Sequence, residues 1–207
     1  MPHFLLGAYE ITQAQYEAVM GSNPSRFRAP SRPVEWVSWI GAARFCNRLS
    51  RYSSLDSCYV LRGGVWLCLY ENNGYRMPTE MEWEYACRAG SSSRYCNGDS
   101  SADLERTAWF DKNSGKTTHP VGLKEPNAWG LYDMHGNVWE FCSDRWMDNY
   151  SPFRRYYPKG DGTVTPRPAR GGSWMGEEVY CRSALRVVCY EDFKYYNLGF
   201  RVARTIK

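Results

Sequence analysis

The sequence predicts a single α+β domain, rich in loops, with few short strands and about three helices. Two observations carry this: helix-start signals cluster in the first half around one glycine-centred hairpin, and turn signals recur through the rest. At 207 residues the chain is one large domain, with enough residues to bury a sizeable core. No internal repeat, low-complexity tract or linker divides it, so the domain is taken as residues 1–207.

Each element has a local cause. Thr12-Gln13-Ala14-Gln15 is a capping box opening a helix that Gly21 ends. Ser38 caps a second helix, on which Ile40, Ala43, Phe45 and Leu49 form an approximate apolar stripe. Pro78 and a second capping box, Thr79-Glu80-Met81-Glu82, start a short helix that runs to Gly90. A hairpin turns at Gly63-Gly64. Beyond residue 90, Asn97-Gly98-Asp99, Asn113-Ser114-Gly115, Pro126-Asn127, Gly136-Asn137 and Lys159-Gly160-Asp161-Gly162 mark turns, so regular structure is expected to be sparse there.

Composition bounds the function. Nine Trp and sixteen Tyr are unusual for this length and suit irregular folds and recognition surfaces. The net charge is +4 and basic residues are scattered, apart from short groups such as Arg154-Arg155, so no nucleic-acid partner is expected. No apolar run has the length of a membrane span, and Met1-Pro2-His3 does not begin a signal peptide. The expectation is a cytoplasmic protein, or a surface or extracellular one whose leader has been removed. Eight cysteines form no Cys-x-x-Cys pair. Cys58 and Cys68 are symmetric about Gly63, and a three-residue hairpin loop would set them opposite one another; a cross-strand disulfide and free buried thiols both stay open.

Residues 175–196 follow neither the strand nor the helix period. Large apolar side chains are interleaved with Glu177, Glu178, Glu191, Asp192 and Lys194 and punctuated by glycine. That pattern favours a surface site over a pair of buried strands.

Five ordered motifs cover nearly the whole chain. They are Gly7-Ala8-Tyr9-Glu10-Ile11-Thr12, Pro33-Val34-Glu35-Trp36-Val37-Ser38-Trp39, the stretch 75–86 around Pro78-Thr79-Glu80-Met81-Glu82-Trp83, the stretch 130–140 ending Gly136-Asn137-Val138-Trp139-Glu140, and Arg170-Gly171-Gly172-Ser173-Trp174 with the closing Gly199-Phe200-Arg201. Together they resemble the formylglycine-generating-enzyme, or sulfatase-modifying, family, a branch of the C-type lectin-like fold. The resemblance implies a structural calcium ion held by Asp133, Gly136, Val138 and Glu140. Hard carboxylate oxygens mixed with backbone carbonyls are what calcium prefers. A second calcium site of the family would involve Asp103 and Leu104, although its remaining ligands do not align.

The family's oxidase binds copper through two cysteines just after the Gly-Gly-Ser-aromatic motif, as soft thiolates suit Cu(I). Here Gly176 stands at the first of those positions and Cys181 has no partner at the family spacing. The catalytic pair is missing as a pattern, so neither copper nor enzymatic activity is expected; an oxidase using Cys181 and Cys189 is the rival reading. His3, His119 and His135 lack the spacing of an iron site.

Instead, the segment resembles variable proteins of diversity-generating retroelements, in which adenine-rich codons of this stretch are rewritten. The expected variable region is 175–197, and the expected ligand-binding residues are Met175, Gly176, Glu177, Val179, Tyr180, Leu185, Val187, Val188, Cys189, Tyr190, Phe193, Tyr195 and Tyr196. Trp174, Arg182, Arg186, Leu198, Phe200 and Arg201 are expected to hold the backbone beneath them. The resemblance implies a non-enzymatic binder whose partner is a protein or other surface molecule, met by rigid aromatics as in antibody loops.

Overall fold

The computed structural model describes residues 3–148 and 165–206. The Lys159–Gly162 turn and the Arg154-Arg155 pair lie outside the described residues. In chain order the elements are β1 (Phe4–Leu6), α1 (Gln13–Met20), α2 (Trp39–Tyr52), β2 (Tyr59–Arg62), β3 (Val65–Cys68), β4 (Tyr75–Arg76), α3 (Glu80–Arg88), α4 (Ser101–Thr107) and β5 (Ala108–Trp109). There follow β6 (His135–Gly136), β7 (Trp139–Phe141), β8 (Pro166–Arg170), a 3₁₀ turn (Glu178–Cys181), β9 (Val187–Tyr190), β10 (Leu198–Gly199) and β11 (Ala203–Thr205).

The expected helix starts are where the chemistry put them. Thr12 and Thr79 each accept from the third helical N–H while Gln15 and Glu82 reach back to the cap N–H, and Gly21 closes α1 at φ 79. Ser38 accepts from Gly41 N at the start of α2. The third helix ends at Arg88, two residues before Gly90, with Ala89 as its cap in the left-handed region at φ 45. Helix α4 was not anticipated. Its signal was present, because Ser100 and Asp103 make a further capping box, but seven residues are too few for a readable apolar stripe.

The hairpin departs from expectation. Gly63 and Gly64, at φ 56 and 79, form a two-residue turn that pairs Arg62 with Val65 and Tyr59 with Cys68. A loop one residue shorter shifts the register by one, so Cys58 lies opposite Leu69, whose N–H donates to the Cys58 carbonyl at 2.7 Å. Cys68 thus pairs with Tyr59 rather than with Cys58. No cross-strand disulfide forms; all eight cysteines are free thiols.

Two sheets organise the molecule. In the first, β1, β11 and β4 pair antiparallel, with Phe4 opposite Thr205, so both ends of the described chain meet in one sheet. The second runs β10-β7-β8-β9, with β10 and β7 parallel and the other pairs antiparallel. Strand β8 is internal yet contains Pro166 and Pro168, which made it hard to read as a strand. Both prolines direct their carbonyls to the 142–146 segment, accepting from Trp146 N and Cys142 N at 2.9 Å, while intervening residues serve β9. The missing proline donors thus fall where the partner supplies donors of its own.

The largest apolar cluster packs α1 and α2 against this sheet, with Trp39, Phe45, Phe141 and Phe200 inside it. Phe45 stacks on Tyr16 at 5.4 Å and meets the edge of Phe200 at 5.3 Å. The Trp39 indole N–H donates to the Cys142 carbonyl at 2.7 Å. Loop-rich backbone is tied down by buried ion pairs, among them Arg76 with Glu82 and Arg167 with Glu191. Among the described residues no helix is long and apolar enough to cross a membrane.

Candidate functional site

The closing segment leaves the sheet at Arg170, the last residue of β8. Arg170 is fully buried: its guanidinium donates to the Leu185 carbonyl at 2.7 Å, pairs with Glu84 and lies 5.5 Å from the Trp83 ring. Gly172 sits at φ 83, and a Cβ there would come within 2.6 Å of Cys181 Sγ. Only glycine meets both demands. Ser173 accepts from the Asn197 side chain at 3.0 Å. Trp174 N–H donates to the Asn137 carbonyl at 2.8 Å, and its indole N–H to the Tyr196 carbonyl at 3.2 Å. At the other end Leu198, Gly199, Phe200 and Arg201 are all buried. Residues 170–174 and 198–201 therefore form a frame without an exposed member.

Between these ends the burial reverses. Met175, Val179, Tyr180, Val188, Tyr190 and Phe193 are 42 to 55% exposed, and Glu177 is exposed as well. Gly176, Leu185, Val187, Cys189, Tyr195 and Tyr196 are half-buried. No expected ligand position is buried. The stretch has more regularity than its sequence suggested. In β9, Val187 and Cys189 turn toward the large cluster while Val188 and Tyr190 face out, and Tyr195 also packs on that cluster.

Of the residues expected to hold the backbone, one does not. Arg182 is exposed, and among the described residues its guanidinium donates locally, to the Val179 carbonyl at 3.1 Å. Arg186 does hold: it makes two hydrogen bonds to Glu80, at 2.5 and 2.6 Å, and lies 4.3 Å from the Trp146 ring. His135 contributes a support that the motif did not reveal. Its Nδ1 is 2.7 Å from the Cys181 carbonyl and its Nε2 accepts from Cys96 N at 2.9 Å. Burial pushes its pKa down to about 4, which keeps the ring neutral.

The two cysteines of the rival reading lie in different places. Cys181 is fully buried with Tyr95, Leu104, Ala108 and Phe110, whereas Cys189 is half-buried against the large cluster. Burial raises both thiols, Cys181 to about 12 and Cys189 to about 11, opposite to what a copper-binding thiolate needs.

The 133–140 loop assembles an acidic cluster. Asp133, Gly136 and Asn137 all have left-handed backbone, at φ 54, 75 and 55. A Cβ at Gly136 would sit 2.1 Å from the Trp109 carbonyl oxygen. Asp133 Oδ2 accepts from Gly122 N at 2.7 Å, but its Oδ1 is buried with no partner. Glu140 accepts from Arg201 at 2.6 and 2.7 Å and from the Trp83 indole at 2.8 Å. Glu10 was missed as a member, although its motif had been singled out. Its carboxylate accepts from Val138 N at 3.1 Å and the Asn137 side chain at 2.7 Å. Burial, followed by repulsion from Asp133 and Glu140, raises the Glu10 pKa well above its ordinary value, and burial raises Asp133 to about 6. Three buried carboxylates face the Arg201 guanidinium, and among the described residues no group of three or more His, Cys, Asp or Glu side chains is placed to hold a metal ion. Asp103 lies apart from this cluster. It caps α4, accepting from the Ser100 hydroxyl and N–H and from Arg106, which hold its pKa down at about 2.

This frame, with a glycine-dependent turn at 171–172 and a buried Arg-Glu tie beneath an exposed apolar stretch, defines the class. The chain belongs to the sulfatase-modifying factor enzyme 1-like domain family, whose pattern it matches over residues 1–206. Its architecture is the formylglycine-generating-enzyme branch of the C-type lectin-like fold. The solved Treponema denticola variable protein 1 superposes with a TM-score of 0.87 at 35% identity, covering 98% of this chain and 84% of that one. The formylglycine-generating enzyme of Streptomyces coelicolor is 39% identical over 192 residues, covering 84% of this chain and 53% of the enzyme. That of Mus musculus is 32% identical over 198 residues, covering 88% of this chain and 47% of the enzyme. The chain thus spans about half the length of these two enzymes.

Proposed function

We propose that this chain is a non-enzymatic ligand-binding protein whose contact surface is the exposed part of residues 175–197, diversified by a retroelement. The observation that carries this reading is the contrast in burial: every expected contact position is at least partly accessible, and the residues flanking the stretch on both sides are buried. A surface that tolerates changing side chains needs its backbone fixed from below, and 170–174 with 198–201 meet that need. Likeness to a variable protein at 35% identity supports the same reading. The test is genetic. A near-repeat of the sequence coding for 175–197, differing at adenines and lying beside a reverse transcriptase gene, is expected in the neighbouring DNA. Finding neither returns the chain to the ordinary members of the family.

The formylglycine-generating relatives favour a second reading, a copper-dependent oxidase using Cys181 and Cys189. Their separate burial and raised thiols speak for the binder. Copper loading, or oxidation of a cysteine-containing sulfatase peptide, that Cys181→Ser abolishes would decide for the oxidase.

A structural calcium ion belongs to the binder reading. Asp133 and Glu140, with the carbonyls of Gly136 and Val138, would hold it, and the unpartnered Asp133 Oδ1 is the group most in need of a cation. When bound, the ion would supply positive charge to a buried acidic cluster. Asp133 would then tie the loop to Gly122, and Glu140 would keep Arg201 in place beneath the frame.

A further inference from the structure

One exposed aromatic residue outside the variable stretch has a backbone conformation that its own burial does not explain. Trp36 lies at φ 61, in the left-handed region that bulky side chains avoid, yet the residue is 42% exposed. The backbone demand is local, since Trp36 N–H donates to the Tyr195 carbonyl at 3.0 Å. Glycine would meet that demand without strain, so the indole must matter for something other than the turn.

The surroundings show where it leads. Trp36 is nearly parallel to Tyr196, with planes 10° apart and centroids 6.3 Å apart. Tyr196 stacks on Tyr195 at 4.3 Å, and Tyr195 on Phe193 at 5.8 Å. A continuous row of rings therefore runs from the proposed contact surface onto the 25–36 loop. The Arg26 guanidinium lies 4.9 Å from the Tyr196 ring and 5.6 Å from Phe27. The loop is braced from inside: Glu35 Oε1 accepts from Phe27 N at 2.8 Å, and Ser25 and Glu35 exchange hydrogen bonds. Arg26 and Arg28 are exposed, and among the described residues neither has an ion pair.

We propose that Trp36 and Arg26 form a constant arm of the binding face, which takes a protein segment presenting a carboxylate beside an aromatic or aliphatic side chain. This rests on the binder reading and names part of its partner. The apolar side chain stacks on the indole, and the carboxylate meets a guanidinium already oriented over Tyr196. Single-stranded nucleic acid also uses rings and arginine. The proposed contact stretch itself carries accessible carboxylates at Glu177, Glu178 and Asp192, which repel phosphates and favour a protein as the matching partner.

The probe is a displayed library of random linear peptides, selected on the whole chain. Enriched peptides are then labelled and titrated by fluorescence anisotropy. They are expected to pair Asp or Glu with a neighbouring aromatic or aliphatic residue. Trp36→Gly and Arg26→Glu should each weaken them by roughly tenfold or more, and replacing the peptide acid by Lys should recover affinity on Arg26→Glu. Trp36→Gly should melt no lower than the parent, since strain is relieved; Trp36→Asn, which also tolerates this backbone, serves if it does. Trp129→Ala, away from this face, should bind as the parent does. No enrichment, no acidic preference, equal binding by the Trp36 and Arg26 variants, or tighter binding of a labelled oligonucleotide overturns the arm. If Tyr190→Ser weakens binding and the arm variants do not, the contact surface stands and the arm falls. If none of these variants matters, both fall.

Discussion

The frame at 170–174 and 198–201 and the stretch it encloses are continuous in sequence but opposite in physical character. The frame concentrates demands that few residues can meet: a glycine at φ 83 against a sulfur, a buried guanidinium bound bidentately to Glu140, and a tryptophan whose N–H groups reach two separate segments. The enclosed stretch makes few such demands on its outward side chains. Residue identity is thus dictated where neighbours surround a side chain, and free where solvent does. That difference suits a protein whose contact residues change while its fold does not.

The comparison breaks most visibly at Arg201. Arg201→Met leaves Glu140 buried beside Asp133 and Glu10 with its countercharge gone, and should cost about 3–5 kcal/mol. A protein of this size should then melt roughly 6–20 °C lower by calorimetry. A loss under about 1 kcal/mol would show that the pair does not hold the frame. Gly172→Ala comes next, at about 2–4 kcal/mol in denaturant unfolding, from backbone strain and the clash with Cys181. Adding Cys181→Ala should restore part of this, because the Cys181 Cα and the Tyr180 carbonyl remain 3.0 Å from the new Cβ.

The proposed calcium ion would sharpen the comparison through the frame alone. At 100 times Kd the ion should add about 2.7 kcal/mol, roughly 5–10 °C in Tm, and chelation should remove it. The pH dependence has a definite sign. Asp133 titrates near 6 when folded against an ordinary 3.8, so the folded state holds its proton more tightly. Without calcium this group's contribution falls as pH rises from about 4 to about 6. Calcium favours the ionised carboxylate, so its increment should grow through that window and be largest above it. An increment independent of pH, or one retained in Asp133→Asn, would remove Asp133 from the site. The smallest effects belong to the enclosed stretch. Tyr180→Ala, Val188→Thr and Tyr190→Ser should each stay within about 0.5 kcal/mol of the parent in chemical unfolding. Val187→Asp, one residue from Val188 but turned inward, should cost several times more. Equal costs at 187 and 188 would erase the distinction.

Residues acting within one turn of themselves were legible in the sequence. Thr12, Ser38 and Thr79 announced their helices because a cap is satisfied locally, and the ordered motifs were enough to place the fold. Helix α4 and strand β8 were not legible. One is too short to show a period, and the other carries prolines whose missing donors are harmless only because of what pairs with them. Of the site, the stretch 175–197 was readable from its lack of rhythm, but the inward turn of Val187, Cys189 and Tyr195 was not.

By itself the sequence determined the family, the helix starts, the place of the exposed stretch and the loss of the paired-cysteine pattern, since each is written in neighbouring residues. Tertiary structure alone decided which face each side chain took. It took Cys68 out of line with Cys58 by a one-residue change of register, set Arg182 in solvent, and joined Glu10 to Asp133 and Glu140 from 123 and 130 positions away. It also laid Trp36 beside Tyr196. The physical reason is range. Capping and turn preferences act over a few bonds, whereas burial, charge pairing and ring stacking depend on chain that arrives from elsewhere, and only the folded molecule brings it there.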